Sequence, residues 1–379
     1  PISIEGVGFE YALRGRLQED GWVVAGASWE SQTGLEGEFV GWRRHRFMVV
    51  GTDYIAAGRG EVVGLKRESE LSARHGVVRT SSDPVVSRTG GSLFVVNRLS
   101  FDNVQRLDPS DGFATSWQSR VGAGSNPQDV LVVGEGARAY VSRFEPPFDD
   151  LAVIDLQARG EIVGTVPLGE LAENPDGTPR VESMALAGDA AFVALQDIDR
   201  SFTHYEEAKL AVVDPRADEV VDVIRLPGKN PRAIVPVTEP DGEKLYVGLA
   251  GIFAGLLPQE LSGGVAVVDV ANRTFERWAL DDDTVGANVV DVVVADSALA
   301  YALISDDAFA SRVVAFDPSS GEVRRRVLES QSFVPSLALD SRGVLAVPEP
   351  SFAAPRLCLY RVPAEPDDKG RTGRGRSSP

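Results

Sequence analysis

AVIDL at 152–156, AVVDP at 211–215, AVVDV at 266–270 and VAFDP at 314–318 are versions of one phrase, three or four apolar residues closed by Asp. VQRLD at 104–108 is a looser copy. The closing residues Asp108, Asp155, Asp214, Asp269 and Asp317 stand 47, 59, 55 and 48 positions apart. Recurrence at such a spacing marks a repeat architecture. The Asp itself has a local explanation. In DPSSGE at 317–322 and DPSDG at 108–112 it takes the first position of a type I turn and Pro the second, so the series reads as turn chemistry rather than catalysis.

Two further apolar runs precede each phrase. DVLVV (129–133) and AYVSR (139–143) come before LAVID (151–155), and SMALA (183–187) and AFVAL (191–195) before LAVVD (210–214). A fourth run closes each unit: EIVGTVPL, EVVDVIRL, TFERWAL and EVRRRVL. Such short runs, rich in Val and bounded by Gly, Pro and Asp, are strands rather than helices. Four strands per unit of about 40–55 residues is the pattern of a propeller blade. Extending the register outward predicts an all-β, seven-bladed propeller of four-stranded antiparallel blades. The blades fall at 47–82, 83–121, 122–171, 172–229, 230–281, 282–330 and 331–363. Residues 1–46 do not fit the template and read as ring-closing strands or a cap; the polar, Gly-rich 364–379 reads as a disordered tail.

The runs AYVSR, LYVGL and AYALI, each followed by AVIDL, AVVDV or VAFDP, make the chain similar to the YVTN-type β-propeller repeat. VVNRLSFDNVQRLDP, GSNPQDV and AYVSRFE together resemble a group of secreted or lipid-anchored propellers of myxobacteria and their relatives. That resemblance implies a seven-bladed ring and a periplasmic, outer-membrane-anchored or extracellular place. It implies no activity, because the repeat is a scaffold.

Composition narrows the function classes. The 379 residues carry 56 acidic and 38 basic side chains, a formal charge of −18, which repels phosphate backbones and argues against nucleic acid as a partner. No apolar run approaches the roughly 20 residues of a transmembrane helix, and no signal peptide is visible in the given chain. The single cysteine, Cys358, removes disulfides and Cys-rich metal sites. His45, His75 and His204 are too few and scattered for a His-rich metal centre. Ser residues lie outside any GxSxG elbow, and no P-loop or GxGxxG follows a strand.

Candidate sites follow from the blade register. Loops 143–150, 172–182, 196–209, 250–264 and 305–312 share one face, while the opposite hairpins are short, so binding is expected on the long-loop face. Arg143, Glu145, Phe253 and Leu257 are its candidate contacts, the last two in an apolar loop segment. The start of each innermost strand carries Asn126, Gln128, Asp129, Asn230, Arg232, Asn288 and Asp291, a candidate polar ring at the channel mouth. The Asn residues also suit turn initiation. The expected function is a non-catalytic binding or scaffold module for a protein or surface polymer. A lactonase-like hydrolase or lyase taking a small-molecule ligand through Asp129, Arg232 and Asp291 is the rival, and a structural surface-layer component a third reading. No organic cofactor is expected. The acidic residues Asp149, Asp150, Asp197, Asp199, Asp306 and Asp307 are candidate calcium ligands, oxygen donors being what that ion takes.

Overall fold

The computed structural model describes residues 2–6, 9–14, 39–42, 46–51, 59–67, 70–109, 111–339, 343–349 and 356–361. The tail 364–379 lies outside the described residues, as do most of residues 1–46. No helix of the described residues is long and apolar enough to cross a membrane.

Strands Val130–Val133, Arg138–Ser142, Asp150–Asp155 and Glu161–Pro167 pair in sequence order as an antiparallel meander, with the first innermost and the last outermost. Four other sheets share this order, at 84–120, 181–225, 231–281 and 288–330. In each, the second and third strands are buried almost throughout, because a neighbouring blade covers both faces. Arg138–Ser142 and Asp150–Asp155 keep only their ends partly open, whereas Glu161–Pro167 is exposed at every position but Val166 and reads as a polar-tolerant edge. Burial on both faces explains the unbroken apolar runs, since no solvent face demands alternation.

Packing between blades forms a chain of apolar clusters. Phe94, Val96 and Val104 of the first blade meet Val130, Ala139 and Ile154 of the second. Tyr140 and Val153 of the second meet Val193 and Ala211 of the third, and the fourth and fifth blades continue the series. The hairpin Asp behaves as its sequence implied. Asp155 Oδ1 accepts from the N–H groups of Gln157 and Ala158 at 2.7 and 2.9 Å, and Asp214, Asp269 and Asp317 accept likewise from Arg216, Asn272 and Ser319.

The expected count of seven like blades is corrected to five. The all-β class and the four-stranded antiparallel blade hold, but the repeat runs from Pro84 to Ser330 only. At its two ends stand sheets of different make. One uses Phe39–Trp42, outside the expected 47–82 unit, with Arg46–Gly51 and the long strands Arg59–Arg67 and Glu70–Arg79. The other is five-stranded: Ala338–Leu339, Val344–Glu349 and Arg356–Arg361 are joined by Ile2–Gly6 and Phe9–Arg14, and the pairing of residues 12–14 with 356–358 is parallel. The physical reason is local. Both end units lack the Asp hairpin that closes the third strand onto the fourth: one closes instead through the hairpin between Arg67 and Glu70, and the other takes its outer strands from the distant segment Ile2–Arg14.

Inter-blade packing makes Gly160 a test position. Its φ is +81°, and a Cβ there would lie 2.6 Å from Trp117 Cζ3 of the neighbouring blade. Gly160→Ala should lower unfolding free energy by about 2 kcal/mol or more in denaturant titrations. Gly177→Ala, at φ +64° with open space around it, carries only the backbone strain and should cost about half as much.

Candidate functional site

The innermost strands of the five blades, with residues 335–337, surround a central cavity of about 430 Å³. Each strand is entered from a tight turn, and Asn126, Arg180 and Asn230 take left-handed φ values of 45°, 51° and 57° there. Two positions later the chain places Gln128, Glu182 and Arg232 at the cavity wall. One step deeper stand Asp129, Ser183, Asp291 and Ser336, and below them Met184, Ile234, Val292 and Leu337 make an apolar floor. Charged rim, hydroxyl and carboxyl girdle, and apolar floor form successive layers.

Asp129 and Asp291 do equivalent work. Asp129 Oδ1 accepts from its neighbour Val130 N–H at 2.7 Å, and its Oδ2 accepts from Met184 N–H of the next blade at 2.9 Å. Asp291 does the same with Val292 and Leu337, both at 2.7 Å. Each carboxylate therefore ties one inner strand to the next. Burial pushes the Asp129 carboxyl up to about 7, with the Glu182 charge adding to the rise, and pushes Asp291 up to about 6 against the nearby Arg232. Arg232 approaches Glu182 at 3.5 Å and lies 5.9 Å from the Phe253 ring centre, while Arg98 donates to Gln128 Oε1 and Asp83 Oδ1 at 2.5 Å each.

Gln128, Asp129, Arg232 and Asp291 are thus brought together at the channel, but the three Asn residues are not. Asn288 Nδ2 donates to the Ala250 carbonyl at 2.6 Å and its Oδ1 accepts from Gln259, so it braces loop 250–263; Asn230 Nδ2 donates to the Gly251 carbonyl at 3.1 Å. Asn126 Oδ1 accepts from Leu99 N–H at 3.2 Å. Sequence reading missed Arg98, Glu182, Ser183 and Ser336. Glu182 was findable, since it follows the left-handed residue by two positions as Gln128 and Arg232 do.

The loops joining second to third strands carry a second repeat that sequence reading missed. Phe101, Phe148, Phe202 and Phe309 each end a turn in which the Phe N–H donates to the carbonyl three residues back, of Arg98, Glu145, Asp199 and Asp306, at 3.0–3.3 Å. The signal was there to be read, in RLSF, EPPF, DRSF and DDAF. Phe101, Phe202 and Phe309 are 43, 37 and 42% exposed, and Leu256 in the remaining loop is 77% exposed. Leu99, Phe202 and Phe309 also hold positive φ, a conformation costly for a large side chain. Phe253 is half-buried, edge-on to Phe333 at 6.4 Å, and Leu257 is half-buried; Leu256 is the large apolar residue of this loop that is exposed.

The remaining candidates serve the loops. Arg143 forms a two-point ion pair with Asp150 and lies 4.5 Å over the Phe148 ring. Glu145 accepts from Arg180, whose guanidinium is fully buried between the Phe144 and Phe202 rings at 4.8 and 4.9 Å. Asp197 accepts from the N–H groups of Glu173 and Asn174 and from Lys209 Nζ at 2.6 Å. Burial works to raise the Asp199 pKa, but hydrogen bonds from Ser201, His204 and Thr203 outweigh it and hold the group at about 2. Asp306 Oδ1 accepts from Ala308 and Ala310 N–H. Asp149 with Asp150, Asp197 with Asp199, and Asp306 with Asp307 therefore stand as pairs in three separate loops. Among the described residues no three His, Cys, Asp or Glu side chains converge as a metal site would need.

No protein-family model matches the chain, and no curated protein matches it. The YVTN-type likeness accordingly rests on the motifs quoted above. Solved structures match over most of the chain. A chain of the crystal structure of the mitotic checkpoint complex aligns with a TM-score of 0.59 and 12% identity, covering 88% of this chain and 90% of that one. The β-propeller domain of Myceliophteria thermophila Cps50 (Swd1) aligns with a TM-score of 0.56 and 14% identity, covering 88% and 98%. At such identities the likeness concerns the fold, and the chain is a β-propeller in architecture.

The channel carboxyls set a pH dependence. Asp129 and Asp291 have folded pKa values above the unfolded 3.8, so between pH 4 and 7 the folded chain binds more protons than the unfolded one. Stability from these groups is complete below pH 4 and is lost as pH rises through 6 and 7. The unfolding midpoint should fall by roughly 2–4 °C or more between pH 5 and 8. Asp129→Asn with Asp291→Asn should flatten that fall; scanning calorimetry at both pH values measures it.

Proposed function

We propose that the chain is a non-catalytic binding propeller of the bacterial cell envelope that holds a polypeptide partner on its long-loop face. The observation that carries this reading is the apolar crown. Among the described residues ten large apolar side chains are exposed, and Leu99, Phe101, Phe202, Leu256 and Phe309 lie in the loops of this one face. The other five are on strands. Rigid turns hold the crown in place, so little side-chain entropy is lost on contact, and aromatic residues dominate the energetics of such interfaces. Acidic loops around the crown favour a basic or neutral partner surface. Against catalysis stands the use of Asp129 and Asp291, each committed to two backbone N–H groups. The envelope location is supported by the resemblance to YVTN-type propellers.

Cross-linking in native cells followed by mass spectrometry tests both parts. The double variant F101S/L256S, at two exposed crown residues, should fold with an unchanged melting midpoint and lose at least about tenfold in yield of one cross-linked envelope protein. The strand-face control I162S/V163S/V221S should keep it. Equal yields from both variants, or cross-links to polysaccharide alone, would overturn the polypeptide assignment, and recovery of the chain in the soluble cytosolic fraction would overturn the location.

A further inference from the structure

The groove between the third and fourth blades, on the face opposite the crown, lacks the side chains that close its neighbours. In the groove before it, Arg138 of the second blade donates to the Asp218 carboxylate and the Pro215 carbonyl of the next hairpin, and Tyr140 Oη donates to Asp218 Oδ1 at 2.6 Å. In the groove after it, Arg277 donates to the Pro318 carbonyl at 2.6 Å. The third blade carries Ala190 and Phe192 where the second carries Arg138 and Tyr140, as first and third residues of the second strand. Neither guanidinium nor hydroxyl enters from that strand, and a groove of about 570 Å³ is left. The receiving hairpin has changed in step. Arg273 stands where Asp218 stands in the third blade, both left-handed at φ 55° and 58°, and the Val270 carbonyl takes the place of those of Pro215 and Pro318.

The lining gives the guest's chemistry. Arg273 is 39% exposed, and its 3.5 Å approach to the 44% exposed Asp222 is a surface pair, worth little and readily exchanged for the two-point contact of a carboxylate. Asp214 and Glu243 each give one oxygen to a backbone N–H, of Arg216 at 2.8 Å and of Gly188 at 2.6 Å, and leave the other for an ammonium. Arg216 is already paired with Asp189 at 3.1 Å. With two guanidiniums and three carboxylates the groove suits neither a plain anion nor a plain cation, whereas a zwitterion meets both signs. Ala190 and Val270, half-buried, and Val221, 47% exposed, add apolar surface for a hydrocarbon side chain. All these groups belong to half-buried or exposed residues, so a molecule in the groove can touch them.

We infer that this groove binds a free α-amino acid with an apolar side chain, its carboxylate on Arg273, its ammonium on Asp214 and Glu243, and its side chain on Ala190, Val221 and Val270. The ammonium replaces, at the Val270 carbonyl, the guanidinium that Arg138 and Arg277 bring to the neighbouring hairpins. The inference is independent of the loop-face reading, since no crown residue takes part.

Isothermal titration of the full chain with L-phenylalanine at neutral pH tests it, with L-phenylalaninamide and N-acetyl-L-phenylalanine as separate arms. The amide lacks the carboxylate and the acetyl compound the ammonium, so L-phenylalanine should bind at least about tenfold more tightly than either. R273Q should bring L-phenylalanine down to the affinity of the amide. A190R, which supplies the guanidinium that Arg138 supplies in the second blade, should weaken L-phenylalanine at least about tenfold while leaving the melting midpoint unchanged. Absence of L-phenylalanine binding at about 10 mM, or binding of the amide or the acetyl compound as tight as that of L-phenylalanine, would overturn the assignment. Should A190R fail to fold, unchanged affinity in R273Q would overturn it equally.

Discussion

Two-sided burial of each blade's middle strands is the constraint on which the rest of the structure depends. A sheet that is apolar on both faces has no stable existence alone, and each blade finds its cover only in the next. The apolar clusters pair first blade with second and so on in turn, and the last of them joins Tyr301 and Leu303 of the fifth blade to Leu345 and Val347 beyond it. A full burial of each Val or Leu contributes roughly 1.5–3 kcal/mol, so the clusters outweigh every polar contact between blades. Loops and inner strand edges are free to vary because they contribute little to that sum.

Polar contacts act instead where packing cannot reach. The inner edges of the blades converge on the channel and offer backbone groups that no further strand pairs. Asp129 and Asp291 bridge these edges, as Ser87 Oγ does by donating to the Val130 carbonyl at 3.2 Å and Thr89 Oγ1 by accepting from Val132 N–H at 3.0 Å. Holding a carboxyl at that place raises its pKa, because the surrounding strands exclude most water. A perturbed acid in a cleft often signals catalysis, yet here the perturbation follows from a structural task.

Loop chemistry divides in the same way. Asp199 and Asp306 spend their oxygens on the backbone of their own loops, which stiffens the turns that end in Phe202 and Phe309. Acidic residues that a sequence reader takes for metal ligands thus serve as braces, and the exposed aromatic three positions later is what each brace presents.

From sequence alone came the all-β class, the four-stranded blade and the role of the hairpin Asp, because these depend on short-range chemistry: a Val-rich run, a turn residue, a fixed spacing. The placement of Gln128, Asp129, Arg232 and Asp291 at one channel was also legible, since register within a blade carries over to the ring. Tertiary structure decided what the run of like residues could not. It limited the regular blades to five, since strands 9–14 and 356–361, which pair in parallel, lie more than 300 residues apart and share no motif. It turned Asn126, Asn230 and Asn288 from the channel into the loops, and brought Glu182, Ser183 and Ser336 to it. Direction of a side chain depends on the twist and neighbours of its strand, and those exist only once the blades have packed.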